Sequence, residues 1–348
     1  MSTTGSSNPA YVTARVRARR AALFSDDEYR KLVRMTPSEI ARYMEETEYK
    51  QEINALGSRH SGVDLIEYAL NRNLARHFNA LLDFSEGQLY ELIARYLRKF
   101  DAWNVKTILR GVYTDAEQAA VETDLIRAGE FDESLVTQLL DAGTVEDVVA
   151  LLDGTIFGDA VADAVEDFAE TETLVPLENA VDRAFYEQLL TDLPSGEAID
   201  LYREFLEAEI DFRNVRNALR LARSGADIDP AAYFIDGGTL FDERDLPTLI
   251  QDPDSLVNEL RDSKYGRRLS GALDELESAD SLIDFERAIE GVLLRYSRQL
   301  GNVHPLSICP VAAYILMKER EVTNIRAIAR GREAGLSETA IEQELVIL

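Results

Sequence analysis

The chain has 348 residues, and 64 Asp and Glu outweigh 37 Lys and Arg to leave a net charge of −27. A body this acidic repels the phosphates of nucleic acid, which excludes that class of partner. One cysteine, Cys309, excludes an internal disulfide and reads as a small buried hydrophobe, and no apolar run reaches the roughly 20 residues that span a bilayer.

The polar start MSTTGSSNPA is expected to fray, and it carries no signal-peptide pattern. Residues 1–24 are read as a tail and one helix. Within TARVRARRAALF at 13–24, Arg15, Arg17, Arg19 and Arg20 form a basic patch on an acidic chain. That patch is either a solvated helix face or a contact for an acidic partner. Long amphipathic stretches follow at 87–100, 197–222 and 281–300, Gly and Pro are sparse, and strict period-two alternation is absent. The chain is therefore expected to be all-α.

From residue 25 onward the same text is written three times. In the first copy, LVRMTPSEIARYM begins at Leu32, Glu67 opens a Glu-x-Ala-Leu string, and DAWNVKTILR occupies 101–110. The second copy has LLDAGTVEDVVALL from Leu139, Glu178 before Ala180 and Val181, and DFRNVRNALR at 211–220. The third has LIQDPDSLVNEL from Leu249, Glu286 before Ala288 and Ile289, and EVTNIRAIAR at 321–330. The decapeptide places Asp101, Asn104, Lys106 and Arg110 in register with Asp211, Asn214, Arg216 and Arg220, and with Glu321, Asn324, Arg326 and Arg330, at intervals of 110. Internal repetition at a fixed interval defines structural units, so three units are expected at 25–131, 132–240 and 241–348.

On a helical wheel Val105, Ile108, Leu109 and Val112 share one face, and Asp101 would point straight into it. An unpaired buried carboxylate is costly. The expected geometry is therefore a helix break near Phe100–Asp101, with Asp101 capping a new helix and Asn104 binding carbonyls freed at the end of the old one. Each unit would contain that corner at a helix start. Glu321 caps less well than Asp, and no aromatic stands at 322–323, so the third corner is expected to differ. Two cations at i, i+4 repel, so the basic ridge needs anions. Glu67, Glu178 and Glu286 are the preferred internal partners; a partner surface is the other reading.

Candidate chemistry is sparse. The chain lacks G-x-x-x-x-G-K-[ST] and G-x-G-x-x-G, so it has no recognisable phosphate cradle and no expected cofactor. Gly237–Gly238 reads as a turn or helix terminus. His60, His77 and His304 are scattered, without metal-ligand spacing. No catalytic, cofactor or metal residue is assigned.

The strings YVTARVRARRAALFSDDEYRKLVRM, IEYALNRNLARHF and LRKFDAWNVKTILRG resemble the C-subunit family of V-type/A-type ATP synthases, which includes the d subunit of vacuolar ATPases. The resemblance covers nearly the whole chain and is weakest in the third unit. It implies a non-catalytic, funnel-shaped rotor part with pseudo-threefold symmetry. Such a part would join the central-stalk subunits to the proteolipid ring at the cytoplasmic face of the membrane. The other reading from the residues alone is a helical-repeat scaffold that binds proteins, although a repeat this long exceeds the roughly 20–45 residues of solenoid units. Only six lysines stand against 31 arginines, a balance similar to that of extreme halophiles, where salt cuts the Debye length to about 3 Å or less. An ordinary acidic cytosolic protein is the alternative.

Overall fold

The computed structural model describes residues 7–224, 229–278 and 282–346. The polar start at 1–6, Ser281 at the head of one amphipathic stretch, and the last two residues lie outside them. Among the described residues there are twenty α-helices, two short 3-10 turns and no strand, so the fold is all-α. The chain opens with α1 (Pro9–Arg20), α2 (Asp26–Val33), α3 (Pro37–Met44), α4 (Lys50–Leu56), α5 (Gly62–Asp83), α6 (Gly87–Leu97), α7 (Lys99–Tyr113) and α8 (Gln118–Asp124). It continues through α9 (Glu133–Leu140), α10 (Val145–Leu151), α11 (Gly158–Asp163), α12 (Val165–Thr171), α13 (Val175–Leu190) and α14 (Glu197–Ser224). The last six are α15 (Leu246–Gln251), α16 (Pro253–Asp262), α17 (Gly266–Ser278), α18 (Leu282–Val303), α19 (Cys309–Glu333) and α20 (Glu338–Glu344).

Local chemistry starts many of these helices. Thr36 accepts from the Glu39 N–H while Glu39 reaches back to the Thr36 N–H, and Thr144 and Asp147 repeat the arrangement. Each reciprocal pair satisfies two backbone donors that a helix start leaves open. The third helix of this kind, α16, follows Asp252, whose carboxylate accepts from the Ser255 hydroxyl at 2.6 Å instead. These three caps stand 108 residues apart and open the repeated segments read at Leu32, Leu139 and Leu249.

The described chain divides into two compact bodies, residues 1–143 with 301–348, and residues 144–300. These limits do not follow the three sequence copies. In the first body α5 and α19 pack together. Ile66, Leu70, Leu74 and Phe78 from one helix, and Val311, Ile315, Val322 and Ile325 from the other, are buried. The first set recurs every four residues and the second at intervals of four, seven and three, the spacings of a helix face. The basic helix α1 lies against α19 through Val12 and Val16. In the second body Phe212, Val215 and Leu219 of α14 share a core with Leu256, Leu260, Leu269, Leu273, Phe285 and Ile289. A phrase helix of one sequence copy thus packs on helices of the next copy, and compaction follows that packing.

Candidate functional site: a latch written three times

The three decapeptides lie on α7, α14 and α19, and their burial runs position by position alike, differing only at the third residue. The acid and the asparagine are buried in every copy: Asp101, Asp211 and Glu321, with Asn104, Asn214 and Asn324. The expected corner is absent. Helices α14 and α19 run unbroken through their phrases, and Asn214 and Asn324 lie far from any helix start. In the first copy the break falls at Arg98, between α6 and α7, and Asp101 caps nothing in its own helix. The acid does point into the apolar face, and partners distant in sequence compensate it.

Asp101 accepts the backbone N–H groups of Glu130 at 2.7 Å and Phe131 at 3.2 Å. Asp211 accepts the N–H groups of Thr239 at 2.7 Å and Leu240 at 2.9 Å, plus the Thr239 and Tyr265 hydroxyls at 3.1 and 2.6 Å. Glu321 accepts the Phe24 N–H at 2.6 Å, the Tyr49 hydroxyl at 2.7 Å and the Lys318 ammonium at 2.7 Å. Burial raises the Asp101 carboxyl to about 6, against the lowering effect of its two N–H donors. Burial and Asp211 push the Tyr265 hydroxyl up, and burial and Glu321 do the same to Tyr49, so both remain O–H donors. Lys318 is 1 % exposed; burial pulls its ammonium down, and Glu321 opposes that.

The short acids need room. A Cβ on Gly129 or on Gly238 would collide with Asp101 or Asp211 respectively. The residue two before the accepted N–H in the third copy is Ala22, and there the acid is Glu, one methylene longer. Gly237, at φ +102°, makes the turn expected of the pair. Gly238 provides clearance for a carboxylate.

Each asparagine does one job. Asn104 Nδ2 donates to the Ile126 carbonyl and its Oδ1 accepts the Ile126 N–H, both at 2.9 Å. Asn214 makes the same pair with Ile235 at 2.8 and 3.0 Å, and Asn324 with Val346 at 3.1 and 3.2 Å. A side-chain amide presents donor and acceptor side by side, as a peptide group does, so it satisfies both buried backbone groups of one residue. The carbonyls it binds lie 21–22 residues downstream, not at a helix end just before it.

In the second and third copies the basic ridge meets the repeated glutamate. Arg220 grips Glu286 with two bonds of 2.7 Å, and Arg330 grips Glu67 in the same forked way. Arg326 donates to Asn71 Oδ1 at 2.7 Å, while Arg216 keeps a buried Nε without a hydrogen-bond partner among the described residues. Lys106 is half-buried and Arg110 exposed.

The sequence reading missed Tyr49 and Tyr265. Their signal is a Thr/Ser-x-Tyr/Phe string at 47, 155 and 263, at intervals of 108. Thr47, Thr155 and Ser263 each donate to a carbonyl three residues back and accept the N–H two residues on. Phe157, in the second copy, has no hydroxyl. Of the scattered histidines, His77 is buried and hydrogen-bonded to the Tyr314 hydroxyl at 2.6 Å, and burial and then Lys318 hold its ring far down, at about 2. His60 meets Tyr68 edge to face. Around Arg15 and Arg19 the patch at the chain start covers the Phe84 ring. Cys309 is a buried free thiol.

Every latch thus joins a buried acid and an amide to main chain, an arrangement suited to holding. No helix among the described residues is long and apolar enough to cross a membrane. The family model described as ATP synthase (C/AC39) subunit matches residues 12–344. The A-type ATP synthase C subunit of Haloferax volcanii is 69% identical over 348 residues, 100% of both chains. That of Haloquadratum walsbyi is 64% identical over 99% of this chain and 100% of its own. That of Methanosarcina mazei is 34% identical over 99% of this chain and 94% of its own.

Proposed function

Because the chain belongs to the ATP synthase (C/AC39) subunit family, with haloarchaeal kin, we propose that it is the non-catalytic rotor part joining the central-stalk subunits to the proteolipid ring of an A-type ATP synthase. The observation that carries this reading is the order of the latches. The helix of the first phrase, α7, packs on α9, the helix that opens the second copy. The second holds the third copy, through Asp211 with Tyr265 and Arg220 with Glu286. The third returns to the first copy, through Glu321 with Tyr49 and Arg330 with Glu67, and Glu321 also holds Phe24 just before that copy. A chain whose last copy returns to its first supports a closed threefold body of units 25–131, 132–240 and 241–348. An open scaffold would leave its last phrase without a following copy to hold. A closed body suits an adaptor between a narrow stalk and a wide ring at the cytoplasmic face, where torque spreads over many contacts.

The test is to purify the membrane ATPase with and without this chain. The reading expects the chain to co-purify with stalk and ring. Without it, ATP hydrolysis by the head should persist while ATP-driven ion pumping is lost. Hydrolysis that disappears with the chain, or pumping that survives its removal, contradicts the reading.

A further inference from the structure

A cleft of about 460 Å³ opens in the first compact body, over the outer face of α5 between the end of α4 and the segment after α8. Its lining departs from the composition of the chain. Arg59, Arg72 and Arg127 face it with His60 and Tyr68, against one carboxylate, Glu122, in a protein with 64 acidic residues and 37 basic ones. Arg127 is tethered, donating to Glu122 at 3.3 Å and to Glu133. Arg59 and Arg72 are exposed and have no hydrogen bond or ion pair among the described residues. The wall behind them is built: Asn71 donates to the Thr123 carbonyl at 3.2 Å and Asn79 to the Arg127 carbonyl at 2.9 Å, fixing the 123–127 segment to α5.

Guanidinium groups sharing one concavity repel unless an anion sits between them, and their planar forks match the oxygens of phosphate. In so acidic a chain the cleft holds one carboxylate, Glu122, and Arg127 already engages it. The volume exceeds that of one oxyanion, and the crossed rings of His60 and Tyr68, 4.5 Å apart, leave an aromatic wall for an organic group. We propose that this cleft binds a phosphate-bearing ligand, with Arg59 and Arg72 on the oxyanion and Tyr68 against its organic part. The site is independent of where the chain sits in the synthase.

The experiment is titration calorimetry of the whole chain in molar KCl with inorganic pyrophosphate, and flotation with vesicles of phosphatidylglycerol or of phosphatidylcholine. Arg59→Gln/Arg72→Gln removes the two unpaired forks, and Arg42→Gln, outside the cleft, is the control. Saturable one-to-one pyrophosphate binding, weakened at least tenfold in the double variant and unchanged in the control, supports a soluble phosphate ligand. Flotation with phosphatidylglycerol alone, abolished by the double variant and by added pyrophosphate, supports a lipid headgroup in the same cleft. Absence of saturable binding by either probe, or binding that the double variant leaves intact, overturns the proposal. Both arginines are exposed, and the unchanged melting temperature expected of the double variant checks that a loss is not unfolding.

Discussion

Asp101 carries its charge inside the protein on two N–H donors, and its pH dependence follows from that. Its folded carboxyl sits at about 6 against an ordinary 3.8, so the folded chain takes up this proton before the unfolded chain does. The contribution of Asp101 to stability is therefore greatest in acid and falls as pH rises from about 4 to about 6, by about 3 kcal/mol in all. His77 acts in the opposite direction. Held neutral when folded, it costs stability as pH drops below its ordinary 6.5. The wild-type profile sums both, and comparison with Asp101→Asn isolates the first. Wild-type stability minus that of the variant, from urea unfolding, should decline between pH 4 and 6 and be level above. A level difference throughout that range would show that Asp101 is not held as described. Lys318 and Glu321 form a different kind of site. There a buried cation, 2.7 Å from the carboxylate, supplies what backbone N–H groups alone supply to Asp101.

At the scale of the element, each phrase helix is anchored by one amide, and the three anchors should behave alike. Asn104→Ala leaves the N–H of Ile126 without its partner, at about 1–3 kcal/mol, while the Ile126 carbonyl keeps the Ala128 N–H at 2.9 Å. Asn214→Ala and Asn324→Ala should cost the same order at Ile235 and Val346. Hydrogen exchange reads this directly: the Ile126, Ile235 and Val346 amides should be protected in the wild type and exchange faster only in the matching variant. Unchanged exchange would remove the latch. The repeat itself was legible because three buried Asn residues recur at one interval. The geometry was not, because a carboxylate on an apolar helix face looks uncompensated until the chain 29–30 residues downstream folds back on it. A cap was the only local remedy, and it was the wrong one. Tyr265 escaped notice because its string repeats at 108 while the phrase repeats at 110, and Lys318 because no other copy has a lysine there. Gly238 looked like turn punctuation because clearance for Asp211 is a tertiary fact.

At the scale of the whole molecule, charge decides behaviour in salt. A net charge of −27 repels itself at low salt and is screened within about 3 Å at molar salt. The melting temperature should therefore rise steeply between about 0.1 and 2 M KCl, and a flat profile would separate this chain from halophilic behaviour. The proposed closure carries the functional account. Glu321 holds Tyr49 where the third copy meets the first, and Asn324, one helical turn on, anchors the same helix to Val346, so removing that amide should loosen the helix that carries the junction. The most direct measurement is the number of ions pumped per ATP hydrolysed in membranes carrying Asn324→Ala, at a temperature where the complex remains assembled. The account predicts hydrolysis close to wild type with pumping per ATP clearly reduced, and Thr323→Ala, a neighbouring exposed position, unaffected. Wild-type coupling in an assembled Asn324→Ala complex whose Val346 amide exchanges freely would contradict it.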